Sequence, residues 1–224
     1  MQIIEKNTVK NAILDCGAIA IIRGVKECDL ANVIDALYQG GITVAEITFG
    51  VESNEQTASL IKSALAYSKG KIVMGAGTVC DLERAKIAKE AGAQFIVSPN
   101  FNEEVVRFCN QNNLTVICGA LTPTEIYDAY AKGADIVKVF PANAFGSSYF
   151  KAVLAPFKNY SLFAFGGVTC DNIGEFIKAG ALGAGIGSEL INLKAISEGD
   201  FAYITNKAKS LIEAVNSAKQ TLKK

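Results

Sequence analysis

The stretch FIVSPNFNEEVVRFCNQNNLTVICG, residues 95–119, contains the pattern that decides the fold. It begins with a short apolar run, which is followed by a turn at residues 98–100. After Asn102, apolar residues at three-to-four spacing occur in residues 105–108. A second β-rich run begins at Thr115. Asn102 is typical of a helix N-cap, and both apolar runs have the length of strands. The stretch therefore predicts a strand, a helix and a second strand in succession.

The same unit recurs along the chain at intervals of 20 to 28 residues. Helical stretches separate the β-rich runs, as in residues 31–37, 58–65 and 82–91. Eight alternating units in about 200 residues fit a (β/α)8 TIM barrel better than a doubly wound sheet. The β-rich runs begin near Ile19, Val44, Ile72, Phe95, Thr115, Ile136, Leu162 and Gly183.

Two further helices are expected outside the eight units, over residues 6–16 and residues 198–224. Thr122 and Asp171 are predicted N-caps, like Asn102. No linker or low-complexity segment interrupts the series. We therefore predict one α/β domain over residues 1–224, a TIM barrel with an extra N-terminal helix, whose active site lies where the strands end.

Composition and charge exclude several classes of protein. Lys and Arg number 22, and Asp and Glu also number 22, which argues against a nucleic-acid or membrane-surface partner. The 224 residues include no histidine, so Ser-His-Asp catalysis, Cys-His catalysis and His-ligated zinc are excluded. The remaining candidates for chemistry are Lys, Arg, carboxylate, thiol and hydroxyl side chains.

The six cysteines form no C-x-x-C pair, so neither a metal site nor a redox dithiol is predicted. In a chain of this length they are typical of reduced cysteines in the cytoplasm. The first residues lack the basic-then-apolar order of a signal peptide, and no run is apolar enough for a membrane span. We predict a cytoplasmic protein.

Lys138 lies in an otherwise apolar predicted strand, where alternation places Ile136, Lys138 and Phe140 on one face. A barrel strand is covered by helices outside and by packed side chains inside, so an ammonium group there loses bulk water. Burial lowers the pKa of a lysine and makes its amine a nucleophile for carbonyl carbon. A structural ion pair at the strand end is an equally good interpretation of Lys138 alone.

Glu46 favours the functional interpretation. It also lies mid-strand, with Val44 and Thr48 on the same face. Buried ion pairs stabilise a fold poorly compared with apolar packing, which makes a purely structural pair with Lys138 less attractive. In a chain without histidine, a carboxylate near an amine nucleophile is the natural acid and base.

Further candidates lie in the turns after the strands. Arg23 ends the first strand, where its guanidinium could bind a substrate carboxylate or simply be solvated. Backbone N–H groups in the turns of residues 165–168 and 185–188 could hold an anion, although glycine is also needed for tight turns. The turn of residues 75–78 ends in Thr78, which could offer a hydroxyl group to a substrate.

At Glu46 and Lys138 the sequence resembles the 2-keto-3-deoxy-6-phosphogluconate (KDPG) and 4-hydroxy-2-oxoglutarate aldolase family. The segment GITVAEITFG, residues 41–50, is similar to the family pattern of a glycine, four residues and E-[LIV]-T-[LF]-R. The segment KVFPA, residues 138–142, is similar to K-x-F-P-[SA]. The turns at residues 75–78, 98–99 and 166–168 also resemble those of the family, and the resemblance extends to about Leu190.

The resemblance implies a metal-free class I lyase without a cofactor, commonly a homotrimer, that releases pyruvate from a keto-acid phosphate. Lys138 would form the Schiff base, and Glu46 would move protons. The remaining implied binding residues are Arg23 for the carboxylate, Thr78, Pro99 and Phe140 for the pyruvate half, Phe165 and Gly166 beside them, and Gly167, Gly187 and Ser188 for the phosphate.

Two positions depart from the family pattern. Gly50 stands where many members have the arginine that binds the substrate carboxylate, and the Arg23–Gly24 pair, which resembles the phosphogalactonate branch, is expected to replace it. Phe165 stands where gluconate-type members often have threonine. The sequence therefore leaves the gluconate and galactonate substrates open.

Two other functions remain as alternatives at the level of sequence. A sugar-phosphate isomerase or epimerase would share the glycine turns, but such enzymes often use histidine or a metal. A non-catalytic barrel that binds a phosphorylated metabolite would not need the Lys138 and Glu46 pair.

Overall fold

The computed structural model describes residues 5–222, in which eight parallel strands close into one barrel in sequence order. Each strand pairs with the next along the chain, and the first pairs with the last. The predicted TIM barrel is therefore confirmed. The strands are β1 (Ala18–Ile22), β2 (Val44–Thr48), β3 (Val73–Gly77), β4 (Phe95–Val97), β5 (Thr115–Ala120), β6 (Ile136–Val139), β7 (Leu162–Phe165) and β8 (Gly183–Ile186).

Helices surround the barrel, and one of them precedes the first strand. No helix within residues 5–222 combines the length and the apolar character needed to cross a bilayer. The helices are α1 (Lys6–Cys16), α2 (Glu27–Gln39), α3 (Asn54–Ser68), α4 (Leu82–Glu90), α5 (Glu103–Gln111), α6 (Pro123–Ala131), α7 (Ser147–Leu154), α8 (Ile173–Lys178), α9 (Leu193–Ser197) and α10 (Phe201–Leu222), with a short 3-10 turn at Ala142–Ala144.

The strand side chains alternate between two apolar layers, as the period of two requires. In β6, Val137 and Val139 point outward and pack with the helices, whereas Ile136 points inward. The inner layer is small because a closed barrel leaves room for few side chains. Its buried members are Val9, Ile13, Ile19, Val44, Phe95, Val97, Ile117, Ile136, Phe163 and Phe165.

The predicted N-terminal helix closes the amino-terminal end of the barrel. Val9 and Ile13 of α1 belong to the inner layer, and Ile13 is fully buried. Lys6 forms an ion pair with Asp135 at 2.8 Å, and the Thr115 hydroxyl donates to the carbonyl of Lys6 at 3.0 Å. These contacts fix α1 under the barrel and leave the opposite end for a site.

Inward-facing glycines make room for the large rings of the inner layer. A Cβ atom at Gly185 would lie 2.0 Å from the Phe165 ring, and one at Gly75 would lie 2.5 Å from the Phe95 ring. Real Cβ atoms do not approach so closely, so glycine is required where a neighbouring strand carries phenylalanine. The barrel interior is thus filled unevenly, with rings from some strands and none from others.

Two details differ from the sequence predictions. The predicted closing helix begins later, at Phe201, because Gly199 adopts a left-handed conformation (φ 74°) between α9 and α10 and the Asp200 side chain accepts from the N–H of Tyr203. Its predicted last two residues lie outside the described range. The prediction that Asp171 is an N-cap is wrong, because a further turn residue, Asn172, stands between it and α8.

Candidate active site

One cavity of about 820 Å³ opens at the carboxyl-terminal ends of the strands. In a TIM barrel this end carries the catalytic residues, because the loops after every strand converge there. All eleven residues that the sequence singled out as catalytic or binding line this cavity. They are Arg23, Glu46, Thr78, Pro99, Lys138, Phe140, Phe165, Gly166, Gly167, Gly187 and Ser188.

Lys138 is held in the barrel by β6 and is only 7% exposed. Its Nζ lies 4.6 Å from the ring centre of Phe165 and 4.9 Å from that of Phe140. Among residues 5–222 no hydrogen bond and no ion pair within 4.0 Å involves this Nζ. Burial therefore lowers the pKa of Lys138, with a smaller opposing effect from Glu46 and a smaller supporting one from Arg23.

Glu46 is held by β2 and is 2% exposed. Its Oε2 has no hydrogen-bond partner within the described residues. Burial raises the pKa of Glu46 to about 7, against the lowering effects of Lys138 and Arg23. A carboxyl group with this pKa gives up and takes back a proton readily at neutral pH.

Lys138 and Glu46 attract each other across the cavity, yet their charged atoms do not form an ion pair within 4.0 Å among the described residues. For both side chains burial has a larger effect on the pKa than this attraction. Burial thus disfavours the charged form of each of the two side chains. An amine and a carboxyl group that share a cavity without bonding to each other are available to a third molecule.

Gly77 of β3 provides the room for the Glu46 carboxyl group. A Cβ atom at Gly77 would lie 2.3 Å from Glu46 Oε1 and 2.6 Å from its Cδ. Only glycine therefore allows this position of the carboxyl group. The sequence of residues 75–78 predicts a turn but not this function of Gly77, which depends on the pairing of β2 with β3.

Arg23 and Thr78 lie together at the mouth of the cavity. Nη2 of Arg23 donates to the Thr78 hydroxyl at 3.4 Å. Thr78 has a left-handed backbone (φ 57°), and Nη1 of Arg84 in α4 donates to its carbonyl at 3.2 Å. Arg84 thus fixes the backbone of Thr78 through its carbonyl group. No sequence motif indicated this function of Arg84.

Gly50, at the position of the family arginine, leaves open space. Its φ is 95°, and a Cβ atom built there would meet no atom within 4 Å. Arg23, which directly follows β1, also lines the cavity. The cavity thus contains the side chains of Arg23 and Lys138, and position 50 contributes no side chain to it.

The two glycine turns after β7 and β8 contribute backbone N–H groups to the cavity. Those of Gly167, Gly187 and Ser188 make no hydrogen bond to residues 5–222. The carbonyl of Gly167 accepts from Asn172 Nδ2 at 2.9 Å, which fixes the turn after β7 from outside. Free N–H groups held in this way are suited to an anion.

Pro99 and Phe140 complete the wall beside Lys138. A Cβ atom at Gly119 of β5 would lie 2.1 Å from the carbonyl carbon of Pro99, so glycine at 119 allows the turn after β4 to approach β5. Phe140 is 41% exposed, because its ring lies at the mouth of the cavity above Lys138.

Several cavity residues were not expected from the sequence. They come from the loop after β8, from the start of α9 and from α10, where no motif or alternation distinguishes them from ordinary surface residues. The shape of the loop brings them to the cavity. They include Glu189, Asn192, Leu193 and Tyr203.

Comparisons with known proteins agree with the geometry. The family model of the KDPG and KHG aldolases matches residues 9–207. The 2-dehydro-3-deoxy-6-phosphogalactonate aldolase of Escherichia coli (strain K12) is 37% identical over 173 residues, covering 77% of this chain and 83% of the relative. The 2-dehydro-3-deoxy-phosphogluconate aldolase of Treponema pallidum (strain Nichols) is 32% identical over 188 residues, covering 84% and 88%.

A solved structure described as native KDPGal superposes with a TM-score of 0.83 at 33% identity, covering 91% of this chain and 96% of that one. The family match spans the whole barrel, including the strands that hold Glu46 and Lys138. The chain therefore belongs to the KDPG and KHG aldolase family and is an aldolase, which makes it a lyase.

Proposed function

We propose that this aldolase is of class I and cleaves 2-keto-3-deoxy-6-phospho sugar acids, of the gluconate or galactonate type, into pyruvate and glyceraldehyde 3-phosphate. One observation carries the proposal. Lys138 is buried without a bonded partner in the same cavity as Glu46, so its amine is the nucleophile and the Glu46 carboxyl group moves the protons.

The reaction follows from these two groups. The neutral amine of Lys138 attacks the C2 carbonyl, and the resulting carbinolamine takes up one proton from solvent and loses water to give an iminium. Glu46 takes the C4 hydroxyl proton through a water molecule, the C3–C4 bond breaks, and its electrons move toward the iminium to give an enamine and the aldehyde. Glu46 returns a proton to C3, and water then hydrolyses the iminium to pyruvate and free Lys138.

The other cavity residues support binding. Arg23 is suited to the substrate carboxylate, in place of the family arginine absent at Gly50. Thr78, Pro99 and Phe140 surround the pyruvate half, with Phe165 and Gly166 beside them. The free N–H groups of Gly167, Gly187 and Ser188 are suited to the phosphate.

Trapping with borohydride tests the Schiff base. Treatment with pyruvate and borohydride should add one stable mass to the peptide that contains Lys138, because reduction converts the imine into an amine. The Lys138→Met variant should take up no such mass, and Lys132→Met, which changes an exposed lysine outside the cavity, should behave like the unmodified sequence. An unmodified Lys138 under saturating pyruvate would refute the proposal.

Pyruvate release from a panel of substrates tests the specificity. The panel contains the gluconate and galactonate phosphates, their unphosphorylated forms, and 4-hydroxy-2-oxoglutarate, whose cleavage to pyruvate and glyoxylate belongs to the proposal. Absence of pyruvate release from every substrate of the panel would refute the proposed cleavage.

We further propose a homotrimer in the cytoplasm. The exposed aromatic side chains of Tyr127 and Phe145, near α6 and α7, offer apolar surface for contact between copies. The six cysteines are all free, as in proteins of a reducing compartment. Light scattering that gives the mass of a single chain would contradict the trimer.

A further inference from the structure

The loop after β8 is tied to α10 through one residue, Glu189. Lys207 Nζ lies 2.6 Å from Glu189 Oε1, and the Tyr203 hydroxyl donates to the backbone carbonyl of Glu189 at 3.4 Å. The hydrogen bond to Glu189 raises the pKa of Lys207, so its ammonium group stays charged at neutral pH. The same loop presents the free N–H groups of Gly187 and Ser188, and its position therefore depends on these contacts.

The charges in the cavity indicate how the ion pair between Glu189 and Lys207 affects the binding of a phosphate group. Among residues 5–222 four charged residues line the cavity, two cationic and two anionic: Arg23, Lys138, Glu46 and Glu189. Glu189 lines this cavity together with Gly187 and Ser188, whose free N–H groups are proposed to bind the phosphate. A carboxylate and a phosphate within a Debye length of about 8 Å repel each other. Lys207 does not line the cavity, yet its ammonium group cancels the charge of Glu189.

We propose that Lys207 is a positioning residue that makes the cavity selective for phosphorylated substrates by neutralising Glu189 and holding the loop that presents the N–H groups of Gly187 and Ser188. The inference rests on the proposed function, which supplies the phosphorylated sugar acid. It extends that function to two residues outside the reacting centre, one of them on the last helix.

Four variants test this inference in the full-length protein: Lys207→Met, Glu189→Gln, the double variant, and Lys209→Met. Lys209 is an exposed lysine of the same helix and serves as the matched control. KM and kcat are measured for pyruvate release from a 2-keto-3-deoxy-6-phospho sugar acid and from its unphosphorylated form. Lys207→Met should raise KM for the phosphorylated substrate about tenfold, because it leaves a carboxylate uncompensated near the phosphate.

The remaining values distinguish selectivity from a general loss of structure. In Lys207→Met, kcat and the KM for the unphosphorylated substrate should stay within about twofold of the unmodified protein, as should all constants of Lys209→Met. In the double variant, the KM for the phosphorylated substrate should return to within about threefold of the value for the unmodified protein. An equal rise for both substrates, no rise, or a double variant no better than Lys207→Met would overturn the inference.

Calorimetry with inorganic phosphate separates this inference from the proposed function. Binding should weaken about tenfold in Lys207→Met and recover in the double variant. This result supports the inference even where the unmodified protein cleaves no sugar acid, an outcome that refutes the proposed function alone. Unchanged phosphate binding in Lys207→Met, or no binding by the unmodified protein, overturns the inference even where lyase activity is intact.

Discussion

Lys138 and Glu46 show how burial alone prepares two side chains for chemistry. Each is buried in the barrel, and the cost of desolvating its charged form is larger than the attraction between them. The amine is therefore available as a nucleophile and the carboxyl group as an acid and a base. Both effects depend on pH, and each can be measured.

The activity should rise with pH through the pKa of Glu46. In the proposed reaction the carboxylate form of Glu46 accepts the C4 hydroxyl proton, and burial raises the pKa of this group to about 7, so kcat/KM should increase up to about pH 7 and then level off. Glu46→Gln should lower kcat by about 10²- to 10⁴-fold. A pH profile of pyruvate release from pH 5 to 9 measures both effects, and an acid limb that persists in residual Glu46→Gln activity would contradict this assignment.

The stability contributed by Glu46 should also depend on pH. Its pKa is raised on folding, so the folded state binds more protons and becomes less stable as the pH rises from about 4.5 to 7. Glu46→Gln removes this loss. The free energy of unfolding of Glu46→Gln minus that of the unmodified protein should therefore increase by about 2 kcal/mol between pH 5 and pH 8. Urea unfolding at the two pH values measures this difference. Parallel stability curves for the two proteins would show that Glu46 is not desolvated.

At the scale of elements, the pairing of neighbouring strands decides where side chains have room. Asn102 and Thr122 accept hydrogen bonds at the starts of α5 and α6, as their local sequence predicts. Such caps depend on only a few adjacent residues. The position of the Glu46 carboxyl group depends instead on Gly77 in the next strand.

Gly77→Ala should therefore displace the Glu46 carboxyl group and lower kcat by about 10²-fold, because small displacements of a catalytic group have large effects on rate. Borohydride trapping at Lys138 should persist, since the amine is untouched. Gly174→Ala is the matched control, because a Cβ atom there lies 3.9 Å from Ala218, at ordinary contact distance. A Gly77→Ala enzyme with normal kcat would show that the carboxyl group is not held where the structure places it.

At the scale of the whole molecule, the two ends of the barrel have separate functions. α1 closes the amino-terminal end with Val9 and Ile13, and the cavity opens at the other end. The helix that closes the barrel and the loops that form the cavity thus lie at opposite ends of the strands, a separation typical of this fold.

Ile13→Ala should consequently affect stability without affecting catalysis. Removing a fully buried side chain leaves a space that the barrel cannot fill, at a cost of about 2–5 kcal/mol. Urea unfolding measures this cost, and Asn11→Ala, an exposed change in the same helix, should cost less than about 0.5 kcal/mol. A large fall in kcat of folded Ile13→Ala would show that the two ends are coupled.

The amino-acid sequence by itself determined the barrel, the eight strand positions, and Lys138 and Glu46 as buried ionisable residues within apolar strands. This was possible because alternation and helical spacing are local, and because a charged residue within an apolar strand stands out. The tertiary structure alone decided the contributions of Gly77, Arg84 and Glu189, whose neighbours are distant in sequence. Packing between strands and loops creates those contacts, so no local pattern could have indicated them.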